Sequence, residues 1–171
     1  NSGIIEEIDI GSIKSHDTKV SDHILKNGTS FKPGDLLIND RGFICRETIN
    51  MLKNARAVDT YIPAKKNMDI YKDAVSIAMS QGKWEKHPNK KRKTQEIAFV
   101  TGLGSLWRSN SPDQDVDLNA CVVRDKTSEE TYDYYVFMTT DLKVSAKQII
   151  KTYELRPEVE EDYRQLKDFW K

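Results

Sequence analysis

The most constraining feature of the sequence is a strand–helix–strand succession compressed between Leu36 and Pro63. Leu36-Leu37-Ile38-Asn39-Asp40 is a compact apolar run of the kind that forms a buried strand. The turn signal Lys32-Pro33-Gly34-Asp35 leads into it, and Arg41-Gly42-Phe43 breaks it. From Arg46 to Asn54, Ile49 and Leu52 fall at helical spacing, and Val58 to Pro63 reads as a second strand. Two strands joined through a helix cannot close as a hairpin. The crossover returns the second strand parallel to the first in one sheet, which places the chain in the α/β class.

The sequence changes character on either side. Ile4 to Ile10 carries β-branched residues suited to a strand, and Ser15 to Leu25 predicts a short helix. Asn67 to Arg92 is polar and lysine-rich. Three strand-like runs follow, Gln95 to Val100, Val116 to Arg124 and Tyr132 to Thr139, with Ser109 to Asp115 as a loop. In the second run Val116, Leu118, Ala120 and Val122 share one face; in the third Tyr132, Tyr134, Val136 and Met138 do. Period-two alternation between turn residues predicts an antiparallel sheet. Ser145 is placed to cap a helix running to about Tyr153. Pro157 then restarts a second helix, whose apolar stripe is Val159, Tyr163, Leu166 and Trp170.

A chain of 171 residues suits one domain with room for a small appended subdomain. With 37% hydrophobic residues in recurring runs it is not a disordered chain. No apolar stretch is long enough to span a bilayer and no secretion signal is present, so a membrane is not an expected partner and a cytoplasmic setting is expected. The chain starts without Met and is expected to be a fragment or a processed piece. Cys45 and Cys121 are far apart and lack metal-ligand spacing, so both read as core or near-core residues. Lys plus Arg and Asp plus Glu both total 27, so net charge gives nucleic-acid binding no support; only local clustering of charge can.

Two motifs carry chemistry. Asp40 stands at the carboxyl end of an apolar strand, where α/β sheets gather ligands and a carboxylate can hold a divalent cation. On its own it reads as a turn opener. Tyr153, Arg156, Glu160 and Lys167 form the pattern Y-x2-R-x3-E-x6-K. On a helix Glu160, Arg164 and Lys167 share a face, so a metal-binding carboxylate would be flanked by phosphate-binding cations. On its own this face reads as solvated, with ordinary ion pairs.

Together the two motifs resemble the insertion-sequence DDE transposases that carry a Y-R-E-K signature. Asn39-Asp40-Arg41-Gly42-Phe43 matches the context of the family's second catalytic Asp, and all four signature positions match in order. Met138 to Asp141, Ser145-Ala146 and Ile149 to Tyr153 are similar to the family's approach to its last catalytic helix. The resemblance implies an α/β fold with a ribonuclease H-like core, its N-terminal strands missing, and an antiparallel β insertion before that helix. Residues 1–66 would be partial core, 67–142 the β-rich insertion, and 143–171 the closing helix. It further implies metal-dependent DNA cleavage and strand transfer on two divalent ions, Mg²⁺ with Mn²⁺ as an alternative. Asp40 and Glu160 would be catalytic metal ligands. Tyr153, Arg156 and Lys167 would contact DNA phosphates, joined by Arg41 and Arg164. The implied partners are transposon ends, target DNA and a second protomer in the full-length protein, in the bacterial cytoplasm at the nucleoid.

The family's first catalytic Asp belongs well upstream of the second, and Asp9 and Asp17 are too near Asp40 to fill that place. The chain alone is therefore expected not to cleave DNA, and a non-catalytic DNA-binding or dimerisation remnant is the alternative. Weaker signals remain. The basic run Lys83 to Lys93, with Lys90, Lys91 and Arg92 at its centre, is a candidate phosphate-contacting loop. Trp107, or Trp84, is a candidate to stack on a flipped base, although Trp more often packs. His16 and His23 flank Asp17 and Asp22 too loosely to define a metal site.

Overall fold

A computed structural model describes Leu25 and residues 31–156. The expected strand at Ile4 to Ile10, most of the expected helix at Ser15 to Leu25, and the helix after Pro157 lie outside the described residues. The rest is a mixed α/β structure.

The first crossover forms as its apolar spacing predicts. Strand β1 (Leu36–Ile38) is followed by a short 3₁₀ turn (Arg41–Phe43), helix α1 (Arg46–Arg56) and strand β2 (Asp59–Pro63). The strands pair in parallel, with Leu36 opposite Asp59 and Ile38 opposite Tyr61. In α1, Glu47 in the first turn and Lys53 and Arg56 in the last complement the helix dipole. Leu52 packs with Val58 and Leu25, with Leu37 of β1 against them. One expectation is corrected. β1 is not a buried strand: among the described residues it lies at an edge of the sheet, and Leu36 is 50% exposed.

Helix α2 (Asp69–Gln81) follows, in a segment that sequence reading left as merely polar. Its buried residues Ile70, Ala74 and Ala78 recur every four positions, and Gly82, at φ 64°, ends it in the left-handed conformation. Strand β3 (Glu85–Lys86) then pairs with β4 (Gln95–Val100). Strands β5 (Asn119–Lys126) and β6 (Tyr132–Thr139) complete an antiparallel set. β5 begins later than alternation alone suggests, because the Asp117 side chain accepts from the backbone N–H groups of Gly104 and Leu118 and holds the preceding residues as loop. Helix α3 (Ala146–Tyr153) opens on Ser145 with a reciprocal capping box to Gln148, as the sequence predicts.

Among the described residues six strands form one sheet in the order β1-β2-β6-β5-β4-β3. Its two halves meet where β2 pairs antiparallel with β6, Ile62 opposite Met138. Alternation sorts the side chains to two faces. Ile62, Ala98, Ala120, Val122, Val136 and Met138 pack with α2 and with Ile49 of α1. Tyr61, Ile97, Cys121 and Val123 pack with Ala146, Ile149 and Ile150 of α3 on the other. Burying a side chain such as Ile149 contributes about 2 kcal/mol. Among the described residues no helix is long and apolar enough to cross a membrane.

Candidate functional site

Strand direction fixes where the polar residues gather. The carboxyl ends of β1, β2, β3 and β5 share one end of the sheet with the amino ends of β4 and β6. Helix α3 crosses the sheet and delivers its last residues to that end.

Asp40 follows β1 there. Its Oδ1 accepts from the Gly42 backbone N–H at 3.0 Å, which is the turn chemistry its sequence predicts. Its Oδ2 accepts from Arg156 Nη2 at 2.7 Å. The first motif thus meets the second across 116 residues of chain. The Asp40 side chain is 40% exposed and that of Arg156 24%, so the pair sits at a rim reachable by solvent. Tyr153 is held by its ring, which lies 4.7 Å from that of Phe137 on β6. Arg41 is exposed beside Asp40. Glu160, Arg164 and Lys167 lie outside the described residues.

The basic run also reaches this end. Lys90 and Lys91 are exposed, while Arg92 is engaged: its Nε donates to Glu154 Oε1 at 2.9 Å. His87 is buried with its Nε2 4.0 Å from the same oxygen, and its Nδ1 accepts from the Asn89 backbone N–H. Burial holds the His87 imidazole below its ordinary pKa, against the opposing pull of Glu154. Glu154 is a residue that motif reading passed over, although it stands between Tyr153 and Arg156.

Both candidate tryptophans have protein partners. Trp84 covers the Arg124 guanidinium at 4.2 Å, with Tyr132 stacked against the same group at 4.8 Å. Trp107 lies 5.5 Å from the Arg46 guanidinium. Arg46 is itself buried: it donates to the carbonyls of Gly104 and Val116, and its Nε lies 3.5 Å from Asp115 Oδ1. Burial lowers the Arg46 pKa, with Asp115 opposing. Burial also pushes the Asp115 carboxyl up, but hydrogen bonds from Ser109 and Asn50 and the charge of Arg46 outweigh it, so the group sits below its usual range. This network clamps the long β4–β5 loop to α1. A pocket of about 240 Å³ beside it is lined by Gly102, Gly104, Ser105, Arg108, Asp115, Val116 and Asp117. Nothing in the sequence pattern pointed to the Arg46–Asp115 pair.

Among the described residues no group of three His, Cys, Asp or Glu side chains is placed to hold a metal ion. Asp40 suits one place in such a site: it is a hard oxygen donor at a strand end, partly open to solvent. A family model described as a transposase DDE domain matches residues 1–171. No curated protein and no solved structure shows a significant match to the chain.

Proposed function

Because the chain belongs to the transposase DDE domain family, whose members are enzymes, we propose that it is the C-terminal part of a catalytic domain that cuts and joins DNA during transposition. The observation that carries this reading is the Asp40–Arg156 contact, which joins the strand-end carboxylate to the arginine of the signature. Residues 1–66 are read as partial ribonuclease H-like core, 67–142 as β-rich insertion and 143–171 as the closing helix. The substrates are transposon ends and target DNA, the working protein is a dimer, and its setting is the bacterial nucleoid.

Asp40 and Glu160 are assigned as ligands of Mg²⁺, for which Mn²⁺ is a substitute. When bound, such ions activate an attacking oxygen and offset charge on the departing one. This chain's own residues position the DNA. Arg156 presents a planar, always-charged fork that suits a phosphate as well as the Asp40 carboxylate. Tyr153 stands fixed against Phe137, so its hydroxyl reaches the backbone from a rigid ring. Lys167, Arg164, Arg41, Lys90 and Lys91 add cations along the strand, and Trp107 is assigned to a base near the cut.

Mn²⁺ titration followed by electron paramagnetic resonance tests the reading. Binding is expected in the native chain and weakened in both Asp40→Asn and Glu160→Gln; equal binding in all three would sink it. The chain by itself, holding two of the family's three carboxylates, is expected to leave supercoiled plasmid intact with Mg²⁺. Robust nicking that disappears in Asp40→Asn would overturn that part.

A further inference from the structure

Strand β3 and the basic loop after it are tied to α3 at both ends of the helix. Near its start, Lys147 Nζ lies 2.5 Å from Glu85 Oε2. Just past its end, Glu154 Oε1 accepts from Arg92 Nε at 2.9 Å and faces His87 Nε2 at 4.0 Å. The loop between these ties is closed on itself. Asn89 Oδ1 accepts from the Lys91 backbone N–H at 3.0 Å, its carbonyl accepts from that of Arg92 at 3.0 Å, and its own N–H donates to His87 Nδ1 at 3.1 Å. Because Nδ1 accepts, the imidazole proton sits on Nε2, which makes no hydrogen bond among the described residues and lies 4.0 Å from the carboxylate. Lys90, Lys91 and Lys93 are left exposed on the outside of this turn.

A carboxylate on a surface that receives a polyanion opposes binding through its charge. Glu154 nevertheless stands between Tyr153 and Arg156. We propose that Glu154 is a positioning residue: through Arg92 and His87 it holds the 87–93 loop on the end of α3, so that Lys90 and Lys91 meet the DNA backbone in fixed register with Arg156. This rests on the DNA reading above. Arg92 then serves as the tether, and the lysines serve as the phosphate contacts.

The two roles of Glu154 predict opposite signs. If it acts only as a charge, Glu154→Gln removes a repulsion and tightens DNA binding. If it positions the loop, the variant loosens binding although the chain becomes more positive. The test uses the full chain, a duplex of about 20 base pairs in fluorescence anisotropy at several salt concentrations, and limited trypsin digestion mapped by mass spectrometry. Expected for Glu154→Gln are weaker binding, a salt slope shallower by about 1–2 as Lys90 and Lys91 leave the backbone, and faster cleavage after Lys90 and Lys91 with an unchanged circular dichroism spectrum. The proteolytic effect is expected to vanish in an Arg92→Gln background, where the tether is already cut. Glu85→Gln, at the other tie, supplies a second variant should Glu154→Gln misfold, and is expected to speed the same cleavages. Tighter binding, or unchanged loop cleavage in both variants, would overturn the proposal alone. A native chain that binds no duplex at any salt would overturn the DNA reading and this proposal with it.

Discussion

Arg156 Nη2 stands 2.7 Å from Asp40 Oδ2, so the strand-end acid and the signature arginine neutralise each other. A half-exposed pair of this kind contributes about 0.2–1 kcal/mol. Arg156→Ala is therefore expected to leave the fold within about 1 kcal/mol of native stability. It frees Asp40 Oδ2, and Mn²⁺ is expected to bind up to about fivefold more tightly in the same resonance titration. Weaker Mn²⁺ binding in this variant would mean that Arg156 orders Asp40 for the ion rather than competing with it.

The buried pair behaves differently. Side chains of Arg46 and Asp115 are 2% and 1% exposed, and Asp115 also accepts from Asn50 and Ser109. Asp115→Ala leaves a guanidinium buried without its carboxylate and is expected to cost about 3 kcal/mol in urea denaturation. A loss below about 1 kcal/mol would place the loop outside the cooperative core.

His87 makes stability depend on pH. Its pKa in the fold is lowered by burial from the ordinary 6.5, with Glu154 pulling it back and Arg92 adding to the drop. The unfolded chain therefore takes up the proton first. The stabilisation is complete above about pH 6.5 and is lost as pH falls through the lowered value. Urea midpoints of the native chain are expected to decline between pH 7.5 and 5.5 more steeply than those of His87→Gln. Parallel declines would remove His87 from the linkage.

The two thiols are expected to react at different rates. Cys121 is fully buried on β5, and burial alone pushes its pKa up, whereas Cys45 is partly exposed ahead of α1. An aromatic disulfide reagent is expected to modify Cys45 promptly in the native chain and Cys121 only on unfolding. Prompt modification of both would indicate frequent opening between the sheet and α3.

Much of the fold was legible because its strands and one helix alternate or cap in standard ways. Gln95–Val100 and Tyr132–Thr139 stand where alternation placed them, and Ser145 begins the helix that its capping chemistry announced. Helix α2 was missed because its buried stripe is built largely of alanine within lysine-rich sequence; Ala74 and Ala78 carry little hydrophobic signal, although Gly82 marked the end. The exposure of β1 is not legible because apolarity does not say how far the faces of a strand are covered. Of the candidate site, the resemblance brings Asp40 and the signature into one site, but the pairing of Asp40 with Arg156 is not legible in it, because it implies a phosphate contact for Arg156. The partners of Arg92, Trp84 and Trp107 are not legible either, since each depends on residues brought close only when the chain folds.

The seam between β2 and β6 sets a kinetic order. The β1–α1–β2 crossover and the β4–β5–β6 meander each form from nearby sequence, whereas Thr60 and Thr140, bonded across the seam, are 80 residues apart. Closing a loop of that length loses chain entropy before any contact offsets it, so seam pairing belongs late on the folding route. Trimming Met138 to Ala is expected to speed unfolding far more than it slows refolding in stopped-flow denaturant jumps. On a ribosome, the first half of the sheet would wait with one strand edge open until β6 emerged, and that interval is when this chain is most exposed to pairing with the wrong neighbour.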